Sequence, residues 1–166
     1  MLDGIGETGL IARYIFDENT KDWSRNNLHA STNAEEVNFV VNAQFEQALQ
    51  LTGETYLSLP QTTLNTIESL SISAWIQLNT NEKGQQLFDF SSSSTSHFST
   101  ETAADNKIEI NLEQGSKSIS ASIPDVASSD WQHLVIVIDF TAQNLETYLN
   151  GSLIAKQPTA TLDLNS

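Results

Sequence analysis

Hydrophobic residues in this chain recur at every second position, and that period of two constrains the fold more than any other feature. From Leu70 to Leu78 the run LSISAWIQL puts Leu70, Ile72, Ala74, Ile76 and Leu78 on one side and Ser71, Ser73, Trp75 and Gln77 on the other. Successive side chains of a strand point to opposite faces, so such a run buries one face and leaves the other to water. Ile108, Ile110 and Leu112 alternate with Glu109, Asn111 and Glu113 in the same way, and Ile119, Ala121 and Ile123 alternate with serines. The three-to-four-residue spacing of an amphipathic helix does not recur.

Turn chemistry divides these runs. Glu113-Gln114-Gly115-Ser116 reads as a hairpin turn between two of them. Asn150-Gly151, between LETYL and SLIA, marks a second hairpin, because its two-residue turn needs residues that tolerate positive φ. Further strands are predicted at Leu10–Phe16, Leu28–Thr32, Val37–Val41, Ala48–Leu51, Tyr56–Leu59, Gln86–Phe90, His133–Phe140 and Ala160–Leu164. His133–Phe140 is apolar on both faces and predicts a central strand covered on both sides. Asn42–Gln47 reads as a short turn, Leu64–Glu68 as a turn or single helical turn, and Ser91–Ser99 as a serine-rich loop. About a dozen short strands with almost no helix make the chain all-β: a two-sheet antiparallel β-sandwich or jelly roll.

Composition bounds the partners. The 166 residues predict a single core; residues 1–8 read as a linker or appended residues and 9–166 as one domain. Twenty-one acidic residues against 7 basic ones leave a formal charge of −14. That balance argues against nucleic acid or an anionic bilayer as partner, since both need Lys and Arg to neutralise phosphates. The absence of cysteine excludes disulfides, thiolate metal sites and a cysteine nucleophile. The longest apolar run, Leu134 to Ile138, falls far short of the roughly 20 residues of a spanning helix. Met1-Leu2-Asp3-Gly4 opens no signal peptide, so the chain reads either as cytoplasmic or as the mature or excised piece of an exported protein.

Five segments, in order, resemble the laminin G-like jelly rolls of the concanavalin A-like lectin/glucanase superfamily. They are GLIARYIFDENTKDWSRNNLHA at Gly9–Ala30, QFEQALQLTGETYLSLP at Gln44–Pro60, SLSISAWIQL at Ser69–Leu78, DWQHLVIVIDF at Asp130–Phe140 and LETYLNGSLIA at Leu145–Ala155. The resemblance implies a module of a bacterial polysaccharide-degrading protein, placed in a secreted, periplasmic or cell-surface setting. Two departures stand out. Arg25 and Asn27 occupy positions where the family's opening loop usually has glycines, and the family's closing Gly-rich and Asp-Asp-aromatic strands are not found before Ser166. Either the module is trimmed or its last strands come from elsewhere in a larger protein. An unpaired first strand would then favour self-association through its free edge.

No catalytic constellation emerges. Superfamily hydrolases carry carboxylates in an alternating Glu-x-Asp-x-x-Glu motif, which is missing here. Glu109 and Glu113, on one face of IEINLE, lie about 13 Å apart along a strand, too far for an acid–nucleophile pair. His133, beside Trp131 on an apolar strand, reads as a hydrogen-bonded structural residue rather than a base.

Two binding chemistries are expected instead. Asp17, Asn19, Asp22, Ser24 and Asn27 crowd into eleven residues, and such short oxygen-bearing side chains can ligate a hard cation or hold a loop through Asx turns with Asp22 or Asp17 as cap. The resemblance implies a structural Ca²⁺ here, with Asp17, Asn19, Asp22 and Ser24 as ligands. A sugar's C–H face stacks on an exposed ring while its hydroxyls take polar partners. Trp23, with Lys21, Asp22, Ser24 and Arg25 around it, is the leading candidate. Trp75 follows, although the family has a packing Trp there, and then Tyr56 and Phe98. The expected function is a non-catalytic accessory module of an exported multidomain carbohydrate-active protein, binding glycan or docking against a catalytic domain. A structural or adhesion domain recognising protein is the alternative, and a glycoside hydrolase or polysaccharide lyase the third reading.

Overall fold

The computed structural model describes residues 9–41, 46–60, 69–78, 82–92, 96–126 and 129–159. The expected turn at 64–68, most of that at 42–47 and the expected strand at 160–164 lie outside the described residues. Every regular element among them is a strand: β1 (Ser31–Thr32), β2 (Asn38–Val41), β3 (Gln47–Gln50), β4 (Leu57–Ser58), β5 (Ser69–Ile76), β6 (Gln86–Ser92), β7 (Ser96–Ala103), β8 (Lys107–Gln114), β9 (Lys117–Ile123), β10 (Gln132–Asp139), β11 (Asn144–Leu149) and β12 (Ser152–Pro158). No boundary is visible in the sequence, yet the chain divides into two compact units, Met1–Asn65 and Thr66–Ser166.

The second unit holds two four-stranded antiparallel sheets, ordered β12-β11-β10-β5 and β6-β7-β8-β9. Their alternating inner residues meet in one apolar core. Phe98, Ile108, Ile110, Leu112, Ala121 and Ile123 come from one sheet, and Leu134, Ile136, Ile138, Leu145 and Leu149 from the other. Leu70, Ile72, Ala74 and Ile76 take the inner positions of β5, as the period of two requires. This is the sandwich expected from the sequence. The β11–β12 hairpin turns on Asn150 and Gly151, both left-handed (φ 50° and 80°), which matches the strand twist. Gly115, also left-handed, turns β8 into β9. An unforeseen hairpin joins β7 to β8 through Asp105 and Asn106, two further left-handed residues.

Two expectations are corrected here. The serine-rich segment contributes to paired strands rather than a loop: Ser91 and Ser92 close β6, and Ser96 to Ser99 open β7. The inward positions of β7 are Phe98, Thr100 and Thr102, so hydroxyls mask the apolar alternation. Those hydroxyls complete the backbone at the bulge of β6 and just before the strand, where Thr100 Oγ1 accepts from Phe88 N (2.9 Å) and Thr102 Oγ1 from Gln85 N (2.9 Å). β10 is central, between β11 and β5, but only one of its faces is fully buried. Leu134, Ile136 and Ile138 enter the core, while His133, Val135 and Val137 are half-buried on the other side.

In the first unit β1 pairs with β4 and β2 with β3. Among the described residues, Leu10–Phe16, expected as a strand, makes only the antiparallel bridge Tyr14–Asp22. A loop side chain and one backbone N–H of the bridge have taken its carbonyls. Asn26 Nδ2 donates to the carbonyls of Leu10 (2.9 Å) and Ile11 (2.8 Å), and Trp23 N donates to the Arg13 carbonyl (2.8 Å). Backbone groups satisfied by nearby polar side chains have no need of a ladder partner.

Candidate functional site

The loop from Arg13 to Ala30 is organised by one buried carboxylate. Asp22 is only 5 % exposed. Its Oδ1 accepts from Arg13 N and Ser24 N, both at 2.8 Å, and its Oδ2 from Ser24 Oγ at 2.7 Å and Leu28 N at 2.8 Å. Burial alone would raise the pKa of this carboxyl. The donors from Arg13, Ser24 and Leu28 outweigh it and hold the group at about 2. Asp22 N in turn donates to His29 Nδ1 (3.1 Å). The Tyr14 hydroxyl donates to the Leu28 carbonyl, and its pKa is raised by burial and then by the Asp22 charge.

These contacts test the fit of a calcium ion. Both Asp22 oxygens face hydrogen-bond donors, and Ser24 Oγ also accepts from Asn26 N (3.2 Å). Asn19 Oδ1 accepts from Lys21 N (3.0 Å), and its amide donates to the Asp17 carbonyl (2.6 Å). Asp17 and Asn19 are joined by one local Asx-type turn and Asp22 and Ser24 by another, and the side-chain oxygens of Asn19, Asp22 and Ser24 are engaged with N–H and O–H groups. A calcium cage needs six to eight oxygens converging on one point, and this arrangement does not fit one. Among the described residues no group of three or more His, Asp or Glu side chains converges as metal ligands.

The alternation that buries Asp22 and Ser24 turns Trp23 outward, where it is 50 % exposed. The ring therefore stands on a backbone held from both sides, by Asp22 before it and Ser24 after it. Tyr56, beyond a turn fastened by its backbone N to Asn33 Oδ1 (2.9 Å), is 56 % exposed in the same unit.

In the second unit Trp75 is 45 % exposed on the outer face of β5. It stacks on His133 of β10, with ring centroids 5.0 Å apart, and His133 Nε2 meets Ser73 Oγ at 2.8 Å. The same face carries Val135 opposite Ser73, and Tyr148 opposite Val135. Glu146 on β11 accepts from Lys156 Nζ (2.7 Å) and Tyr148 Oη (2.6 Å), which lowers its pKa and raises that of Tyr148. Phe98, named as a sugar contact, is corrected: it points into the core, 5 % exposed, and stacks on Phe90.

The outer face of β6, β7 and β8 holds groups that single-strand reasoning missed. Register pairs Glu101 directly with Glu109 across β7 and β8. His97 Nε2 lies 3.2 Å from both oxygens of Asp89, and its Nδ1 lies 4.0 Å from Glu113 Oε2. Only recognition of β7 as a strand would have brought these residues together. Like charges directly opposite each other in a sheet are destabilising. Glu109→Lys is therefore expected to raise stability by roughly 0.5–1 kcal/mol, seen as a higher urea midpoint whose gain shrinks with added salt.

The Laminin_G_3 family model, described as concanavalin A-like lectin/glucanases superfamily, matches residues 51–166, more than half of the chain. The chain belongs to this superfamily. Its laminin G-type fold is shared with a solved S-layer domain-containing protein of Clostridium thermocellum (residues 221–444), at 24 % identity and a TM-score of 0.57 over 92 % of this chain and 74 % of that one. That likeness shows the fold alone. A comparison with curated proteins finds no match.

Proposed function

We propose that this laminin G-type chain is a non-catalytic accessory module of an exported multidomain protein and that it binds glycan at Trp23. The observation that carries the reading is the setting of that ring: half exposed, yet mounted on a loop whose flanking residues Asp22 and Ser24 are buried and hydrogen-bonded. A platform fixed in advance loses little entropy when a sugar stacks on it. Superfamily membership and the fold of an S-layer domain-containing neighbour support an extracellular or cell-surface setting. The absence of any alternating carboxylate motif within one strand supports a binding role rather than hydrolysis.

Affinity electrophoresis of the whole chain through gels containing soluble polysaccharides tests this reading. Retardation by at least one of them is expected, with Trp23→Ala weakening binding about tenfold, the size of a lost aromatic contact. Trp75→Ala, in the other unit, should leave retardation in place. Passage unretarded through every polysaccharide would favour docking against a neighbouring domain instead. Turnover of a polysaccharide by the chain would overturn the non-catalytic reading.

A further inference from the structure

Basic residues are scarce in this chain, and their placement is uneven. Residues 1–65 contain three, Arg13, Lys21 and Arg25, and all three lie within the loop that carries Trp23. The bridge Tyr14–Asp22 is antiparallel, so Arg13 lies beside Trp23 and Ile15 beside Lys21. Tyr14 and Asp22 face inward, which sends their neighbours Arg13, Ile15, Lys21 and Trp23 to the outer side, where all four are exposed. Arg25 follows the buried Ser24 into the turn and is exposed as well. The outcome is an indole flanked by three cations on a chain of net charge −14.

The acidic residues of the same loop do not cover this face. Asp22 is buried and its oxygens are taken by four donors. Asp17 and Glu18 lie in the turn that joins Ile15 to Lys21, at the end of the bridge away from Arg13 and Trp23.

From this arrangement we infer the ligand class of the Trp23 site: an anionic glycan, its ring stacked on the indole and its carboxylate or sulfate held by Arg13 and Arg25, with Lys21 adding charge. The inference rests on the proposed glycan-binding role of Trp23 and specifies it. Guanidinium groups match planar carboxylates and sulfates through paired N–H donors, whereas a neutral sugar would gain nothing from three cations. A nucleic acid would need a longer basic track than one patch of three on an acidic surface. At physiological ionic strength the screening length is about 8 Å, so distant carboxylates do little to oppose an anion in contact with the patch.

The test compares retardation of the whole chain at about 0.15 M salt in gels containing polygalacturonate, dextran sulfate or a neutral glucan. Each mobility is taken relative to a polysaccharide-free gel. Arg13 anchors Asp22 through its backbone N–H alone, so Arg13→Gln with Arg25→Gln preserves the loop's hydrogen bonds; an unchanged melting temperature verifies that. Retardation by polygalacturonate or dextran sulfate is expected, with little by the neutral glucan, and the two gels distinguish carboxylate from sulfate as the preferred anion. The double variant, which removes two charge-assisted contacts, should lose tenfold or more in affinity, and Lys21→Gln, which removes only added charge, about threefold. Equal retardation by neutral glucan, lost in Trp23→Ala but kept in the double variant, would overturn the anionic class and leave glycan binding standing. No retardation by any polysaccharide, or retention of an oligonucleotide in their place, would overturn both.

Discussion

Ile136→Ala is expected to remove about 2–5 kcal/mol of stability, a loss typical of a fully buried core side chain. Ile136 is fully buried at the middle of β10, the strand between β11 and β5. Register sets it opposite Ile72 on one side and Thr147 on the other, and it packs in the core formed with Ile108, Ile110 and Ile123 of the second sheet. A strand hydrogen-bonded on both edges has little freedom to collapse into the vacated volume, so most of the cavity persists. Domains are stable by about 5–15 kcal/mol, so the variant would lose a large share of its stability. Urea denaturation checks this, with a lower midpoint expected at an unchanged m-value. Val137→Ala, one residue on and half-buried on the outer face, should lose much less. Equal losses at the two positions would mean that both faces of β10 are buried alike, and a larger loss at Val137 that its inward and outward faces are exchanged.

Asp22→Asn is expected to be nearly as damaging, and its effect should depend on pH. The carboxylate satisfies four donors; an amide keeps one acceptor oxygen and turns an N–H₂ toward donors that faced the other. Leaving buried donors unsatisfied costs about 1–3 kcal/mol. The pH dependence has a definite sign. Because the folded-state pKa of Asp22 is depressed to about 2, below its ordinary value of 3.8, the stabilisation is complete above about pH 4 and disappears as pH falls through 2. The shift corresponds to roughly 2 kcal/mol. Thermal unfolding from pH 5 to pH 2 should show this acid limb in the natural chain and a flatter profile in the variant. Millimolar Ca²⁺ should leave the melting temperature of the natural chain unchanged, since the side-chain oxygens of Asn19, Asp22 and Ser24 already engage donors within the loop. A calcium-dependent rise that Asp22→Asn removes would overturn this view of the loop.

The strands that could be read from sequence are those whose inward residues are aliphatic. β5, β8 and β9 alternate cleanly, β10 stands out as a continuous apolar run, and Asn150-Gly151 identifies its hairpin by turn chemistry. β7 escaped because Thr100 and Thr102 fill inward positions, where they serve the backbone of β6. Phe98 was misplaced with it, since its serine-rich surroundings have the composition of a loop although Ser96 to Ser99 belong to a strand. The opening segment failed for a different reason. Its apolar residues suggest a strand, but Asn26 and Asp22 reach back from nine or more residues away and take its hydrogen bonds.

Trp23 was legible on grounds that the structure refines. Polar neighbours suggested a ring that could not be buried; in fact Asp22 and Ser24 are themselves buried, and the alternation exposes the Trp between them. The clustering of Arg13 with Trp23 was not legible, because it depends on the Tyr14–Asp22 bridge across eight positions of sequence. The Glu101–Glu109 pair was hidden for the same reason, since pairing between strands is set by register and not by spacing within one of them.

Nitrogen-15 NMR of the three tryptophan indole N–H groups, recorded as a retarding polysaccharide fragment is added, tests the placement of the binding platform most directly. The expected result is a saturable shift of the Trp23 resonance, with those of Trp75 and Trp131 still. A shift confined to Trp75, with Trp23 unmoved, would put the ligand on the outer face of β5 and contradict the assignment of this loop as the glycan site.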